Sequence, residues 1–267
     1  MDVVTRRGDP DWVDPDLLNK VPEVTLWFWL IKIMATTVGE TAADLLSVRL
    51  GLGLGATSLI MTGVFVVALV LQVRSRRYVP ALYWFTVVAI SVVGTLVSDN
   101  LVDGYGVSLV TTSIIFALLL VIAFAAWWHS EGTLSIHSIR TRRRELFYWA
   151  AILFTFALGT SVGDLFAERL DLGYGTAAVE FGAMIGAVAL AHYVFRRDAV
   201  LSFWTAYVLT RPLGASMGDL FAKPVIAGGF GLGTITTSLI FLGAILCLVV
   251  YLTLSKVDRL DGAPAHR

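Results

Sequence analysis

Carboxylates recur at one place in an otherwise apolar chain. Lys32, Thr36, Glu40 and Asp44 are spaced four apart, which sets them on one face of an α-helix. The string Lys32-Ile-Met-Ala-Thr-Thr-Val-Gly39-Glu40 returns as Arg211-Pro-Leu-Gly-Ala-Ser-Met-Gly218-Asp219 and as Phe156-Ala-Leu-Gly-Thr-Ser-Val-Gly163-Asp164. A fainter copy reads Val87-Val-Ala-Ile-Ser-Val-Val-Gly94-Thr95. On this register Glu40, Thr95, Asp164 and Asp219 form one column. Asp44, Asp99, Glu168 and Lys223 follow one turn on, and Thr36, Ser91, Thr160 and Ala215 stand one turn before.

Carboxylates beside hydroxyls are hard oxygen ligands, suited to Mg, Ca or Mn rather than Zn or Cu. The expected metal ligands are Glu40, Asp164 and Asp219, with Asp44 and Asp99 nearer the mouth. Thr36, Thr37, Thr160, Ser161 and Ser216 would supply auxiliary oxygens. Met217 beside Gly218-Asp219 biases the set toward Mn or Fe if its thioether binds, and is core filler otherwise. Lys32 and Arg211 fall in one column as gates or counter-charges, and Glu180, in an apolar run, suits a proton carrier or a fourth carboxylate of the site. The alternative for Glu40, Asp164 and Asp219 is an internal salt-bridge set with Lys32 and Arg211 that holds the helices in register, and for Asp44 and Asp99 a solvated helix end. A charge at a bilayer centre costs roughly 2.5–3.5 kcal/mol on the most lenient scale, so these groups must face one another or water.

The elements that carry them are membrane helices. Of 267 residues 57% are hydrophobic and only 15% charged, against about 25% in soluble domains; mean hydropathy is +0.79. Apolar stretches of bilayer length predict eight transmembrane helices over about 24–48, 53–73, 79–102, 106–128, 146–169, 174–195, 199–222 and 229–254. Pairs of helices repeat four times as parallel hairpins, each with a Gly-x-Gly turn, so the fold class is an all-α integral membrane protein built from tandem repeats. The odd helices carry the polar stripes and should face inward. Segments 1–23 (polar), 24–128 (two hairpins), 129–145 (basic loop), 146–254 (two hairpins) and 255–267 (tail) complete the layout. The leading segment has no signal-peptide core, so the first span is expected to direct insertion.

Arg74, Arg76, Arg77, Arg140, Arg142 to Arg144, Arg196, Arg197, Lys256 and Arg259 share one side, which predicts cytoplasmic N and C termini. Trp27, Trp29, Tyr83, Trp84, Trp127, Trp128, Tyr148, Trp149, Tyr193 and Trp204 gather near that side and predict an interfacial aromatic belt. All four histidines map there too, away from the acids, which argues against zinc. The single Cys247 offers neither disulfide nor thiolate site.

Asn19-Lys20-Val-Pro22-Glu23-Val-Thr25 with Phe28-Trp29, then Thr36-Thr37-x-Gly39-Glu40-x-x-x-Asp44, resembles an uncharacterised bacterial family of multi-spanning membrane proteins. Arg142-Arg-Arg-Glu145 leading into Gly159-Thr-x-x-Gly-Asp164 is similar to the same family. The resemblance implies a bacterial inner membrane and no activity.

No zinc-protease helix, Walker lysine or Ser-His-Asp set is present, so an enzyme is not expected. The residues predict a transporter of a divalent, Mn-like metal cation, proton-coupled through the same acids, with no tightly bound cofactor. Its partners would be the lipid bilayer and the metal cation, not nucleic acid, and the oligomeric state stays open. A channel with an acidic selectivity ring, or a structural or sensory membrane protein, are the alternatives.

Overall fold

The structure, a computed structural model, describes residues 20–258. The leading segment before Lys20 and the tail from residue 259 lie outside the described residues. Eight α-helices fill the rest: α1 Leu26–Asp44, α2 Gly53–Arg74, α3 Pro80–Asp99, α4 Leu109–Glu131, α5 Arg142–Asp164, α6 Tyr174–Tyr193, α7 Ala199–Ala222 and α8 Gly233–Ser255. No strand occurs among the described residues. The helices start where side chains can replace missing backbone partners. Thr25, Ser108, Thr141 and Asp198 each accept from a backbone N–H of the first turn, and Pro80 opens α3. The Thr141 cap sets the start of α5 at Arg142, several residues before the predicted 146.

Six helices are long and apolar enough to cross a bilayer: α2 to α6 and α8. This is a multi-pass membrane protein. The other two, α1 and α7, carry the charges Lys32, Glu40, Arg211 and Asp219, and each of those four side chains is buried.

The odd helices form a closed ring. α1 packs on α3, α3 on α5, α5 on α7, and α7 back on α1. Each even helix lies outside against the odd helix of the following repeat: α2 on α3, α4 on α5, α6 on α7, and α8 on α1. The inward placement expected for the odd helices is what the packing gives.

Glycine contacts fix the register around the ring. A Cβ on Gly39 would overlap Ser91 of α3; on Gly94 it would overlap Phe156 of α5. On Gly159 it would overlap Arg211 of α7, and on Gly214 it would overlap Thr36 of α1. One contact type thus runs around all four helices, as small residues let membrane helices approach closely. The four copies therefore align as Trp29-x9-Gly39-x4-Asp44, Trp84-x9-Gly94-x4-Asp99, Trp149-x9-Gly159-x4-Asp164 and Trp204-x9-Gly214-x4-Asp219.

This corrects the columns read from the sequence by one helical turn in copies three and four. The true equivalents of Glu40 are Thr95, Thr160 and Ala215. The true equivalents of Asp44 are Asp99, Asp164 and Asp219. Gly163 and Gly218 also sit in tight contacts, against Ala215 and Glu40, but on other neighbours.

The aromatic belt is corrected as well. Tyr83, Trp84, Trp127, Tyr148 and Trp149 are almost fully buried. They build a layer inside the bundle, and it is cyclic. Phe28 meets Trp84 at 5.6 Å between ring centroids, Tyr83 meets Trp149 at 5.7 Å, Tyr148 meets Trp204 at 6.1 Å, and Phe203 meets Trp29 at 5.6 Å. Within the belt residues only Trp128 and Tyr193 are largely exposed.

Candidate functional site

The ring has two ends, a tryptophan end and an aspartate end. Between them the axis is filled by two long basic side chains, one from α7 and one from α1.

Arg211 is fully buried. Its Nη2 donates to Glu40 Oε2 at 3.2 Å, to Thr160 Oγ1 at 2.7 Å and to Thr95 Oγ1. Its Nη1 reaches the Thr36 carbonyl at 3.5 Å. Glu40, Thr95 and Thr160 are the same position in the three other copies. The fourth member of that position is Ala215, one turn above Arg211 on its own helix, with its Cβ against Gly163 of α5. One guanidinium therefore ties all four inner helices at one level.

Lys32 lies nearer the tryptophan end and is also fully buried. Its Nζ donates to Thr210 Oγ1 at 3.2 Å. It sits 4.3 Å from the Phe156 ring centroid and 4.1 Å from that of Tyr207. Those two rings are parallel to within 3°. Phe156 belongs to α5, diagonally across the ring from α1, so Lys32 crosses the axis as Arg211 does. Cation–π attraction and one hydroxyl take the place of a carboxylate.

Toward the aspartate end, Asp44, Asp99, Asp164 and Asp219 stand at equivalent positions. Each inner helix presents one. Asp99 is in electrostatic reach of Asp44, Asp164 of Asp99 and Asp219, and Asp219 of Asp44, which closes a ring of acids. Glu40 acts on Asp99, Asp164 and Asp219 from below. Lys223 bridges one side, 3.6 Å from both Asp44 and Asp219. Burial works against the Lys223 charge, but Asp219 and Asp44 outweigh it and hold its ammonium above the ordinary lysine range. The cup thus sets five carboxylates against the two bases Arg211 and Lys223.

The backbone changes type directly above this ring. Leu45–Arg49, Asn100–Gly104 and Leu165–Arg169 are π-helical turns, each beginning one residue after its aspartate. Such turns are rare and gather at functional sites. Copy four has none: Pro224 lacks the N–H that would continue the helix, and α7 ends at Ala222 with Lys223 extended.

The predicted site residues divide. Glu40, Arg211, Thr160 and the backbone of Thr36 meet at the central node. Asp44, Asp99, Asp164 and Asp219 form the ring above it. The hydroxyls of Thr36 and Thr37 reach the Ile33 carbonyl of their own helix, at 2.6 and 3.1 Å, and that of Thr36 also reaches the Thr210 carbonyl of α7 at 3.3 Å. Ser161 bonds its own helix and accepts from Ser113 of α4, away from the axis. Ser216 is buried with no hydrogen-bond partner among the described residues, and Met217 is half-buried. Glu180 is on α6, which packs outside the ring. Among the described residues, no three of His, Cys, Asp and Glu converge as a metal-binding group. Phe156, Tyr207 and Thr210 are site residues that sequence reading did not select; Thr95 already stood in the Glu40 column without being named a ligand, and the Trp-x9-Gly-x4-Asp pattern adds Thr160 to that column.

The sequence matches the Repeat of Unknown Function (DUF347) four times, over residues 27–78, 82–133, 147–198 and 202–258. Each matched segment begins two residues before Trp29, Trp84, Trp149 or Trp204, the same register that the glycine contacts set. The chain belongs to this repeat family. No curated protein and no solved structure matches it.

Proposed function

We propose that this repeat protein is a cation carrier, with the aspartate ring as its entry cup and the Arg211 node as its closed gate. The observation that carries the reading is the placement of one buried guanidinium under four equivalent carboxylates. Five acids stand against two bases, so the cup can take up cations or protons from water. Below the node, Lys32 and the aromatic layer fill the axis, so passage requires the side chains to move. That favours a carrier over a standing acidic pore. The carboxylates are spread around a ring rather than gathered on one point, which supports a hydrated or organic cation over a dehydrated Mn-like ion held by several carboxylates.

In this reading all eight helices span a bacterial inner membrane. The tryptophan end, with its arginine-rich loops, is cytoplasmic and the cup faces outward. Uptake of cations into proteoliposomes tests it. Saturable flux whose half-saturation concentration Asp164→Asn and Asp219→Asn each raise is the expected result. Single-channel currents, or no flux of any cation, would sink it. A reporter fused at Gly53 reading outside, and one at Ser75 reading inside, checks the orientation.

A further inference from the structure

Arg211 and Lys32 each occupy a seat shaped for a cation, and the two seats differ in chemistry. At the upper seat Thr95 Oγ1 donates to the Ser91 carbonyl at 3.3 Å, and Thr160 Oγ1 donates to the Phe156 carbonyl at 3.2 Å. Their protons are spent on their own helices, so only lone pairs remain for the axis. Glu40 adds a carboxylate and Thr36 a carbonyl. The seat is buried and presents acceptors, one of them a carboxylate. It suits a planar group with many donors and none of the acceptors. A divalent metal would instead require six or more oxygens, several of them charged. The lower seat is two parallel rings and a hydroxyl, which suits an organic ammonium that keeps an N–H donor.

We infer that the transported cation is a small organic cation with a guanidinium or primary ammonium head, and that Arg211 and Lys32 are its tethered stand-ins in the closed state. The inference rests on the carrier reading and names the substrate class for it. A free cation arriving from the cup would compete with Arg211 for the acceptors of Glu40, Thr95 and Thr160, and displacement of the arginine would open the gate. The side chain that blocks the path thus sets the selectivity of the path.

The test is binding by purified Arg211→Ala, read as thermal stabilisation with guanidinium, methylguanidinium, methylammonium, sodium and Mn. Guanidinium should bind Arg211→Ala at least about tenfold more tightly than the wild type, and Arg211→Ala/Glu40→Gln should lose that gain. Arg211→Ser provides a second vacated seat should the alanine variant not fold. A further arm uses unaltered protein in proteoliposomes, where methylguanidinium should be taken up or should compete with the flux of any cation carried. Equal guanidinium binding by variant and wild type, or a gain for sodium or Mn alone, overturns the inference. Wild-type flux of a metal ion that methylguanidinium does not inhibit also overturns it while leaving the carrier reading intact. Absence of all flux beside guanidinium binding in the variant would sink the carrier reading and spare the seat.

Discussion

Arg211 Nη2 lies 3.2 Å from Glu40 Oε2, and the same nitrogen reaches threonines on the two remaining inner helices. A buried pair of this kind is costly to break from one side, about 3–5 kcal/mol, and often neutral to replace as a whole. Glu40→Gln and Arg211→Met should each lower thermal stability strongly in detergent. Glu40→Met/Arg211→Met should recover most of the loss. Additive losses in the double variant would show that the two residues do not act as a pair.

The glycine contacts make a symmetric prediction. Gly39→Ala, Gly94→Ala, Gly159→Ala and Gly214→Ala each drive a methyl into the neighbouring inner helix. Each should cost about 1–3 kcal/mol through overpacking. Gly63→Ala, on the outer face of α2 with open space around it, should be harmless. Melting curves that rank Gly63→Ala with the other four would contradict the ring packing.

Equivalence also applies to the aspartates. Removing one unit charge at about 8 Å from a bound cation, with an effective dielectric of about 20, weakens binding by about 2 kcal/mol. Asp44→Asn, Asp99→Asn, Asp164→Asn and Asp219→Asn should therefore each reduce cation affinity by similar factors. Glu180→Gln, outside the ring, should leave it unchanged. A cation titration by thermal shift or calorimetry compares all five.

Lys223 gives the pH dependence. Asp219 and Asp44 hold its ammonium above the ordinary lysine value of about 10.4 despite burial. A raised folded-state value means the contribution is fully present below the unfolded value and is lost only as pH rises through the folded one. Stability from this bridge should thus be flat from neutral pH to about pH 9. Lys223→Met should destabilise the aspartate end across that whole range. An effect confined to alkaline pH would contradict the bridge.

At the other end, Tyr78 OH donates to Asp258 Oδ2 at 2.6 Å, and the Glu23 backbone N–H donates to the Asp258 carbonyl at 3.0 Å. Burial, then the Asp258 carboxylate, pushes the Tyr78 phenol above its usual range. Tyr78→Phe should speed amide hydrogen exchange at Glu23 several-fold over the wild type. Equal exchange rates would mean that the Tyr78–Asp258 contact does not hold this end together.

Hydropathy, helix number and repetition were legible in the residues because each is a local property. Charge spacing on α1 was legible too, since a turn of helix repeats at four. Which residues share a level was not. Copies three and four each carry two glycines one turn apart, Gly159 and Gly163 in one, Gly214 and Gly218 in the other. A string match can settle on either, and the difference moves every column by one turn. The packing of Gly159 on Arg211 and of Gly214 on Thr36 chooses between them, and the spacing from Trp149 and Trp204 agrees. The buried aromatic layer was hidden for a similar reason. A tryptophan near a helix end reads the same whether it faces lipid or the bundle, and only the ring of inner helices turns Trp84 and Trp149 inward. The sequence by itself therefore determined a membrane protein of four repeated hairpins with acids on its inner helices. Tertiary structure decided that four aspartates form one ring, and that Arg211 and Lys32 cross its axis, because side-chain reach across a bundle depends on register between helices that are distant in the chain.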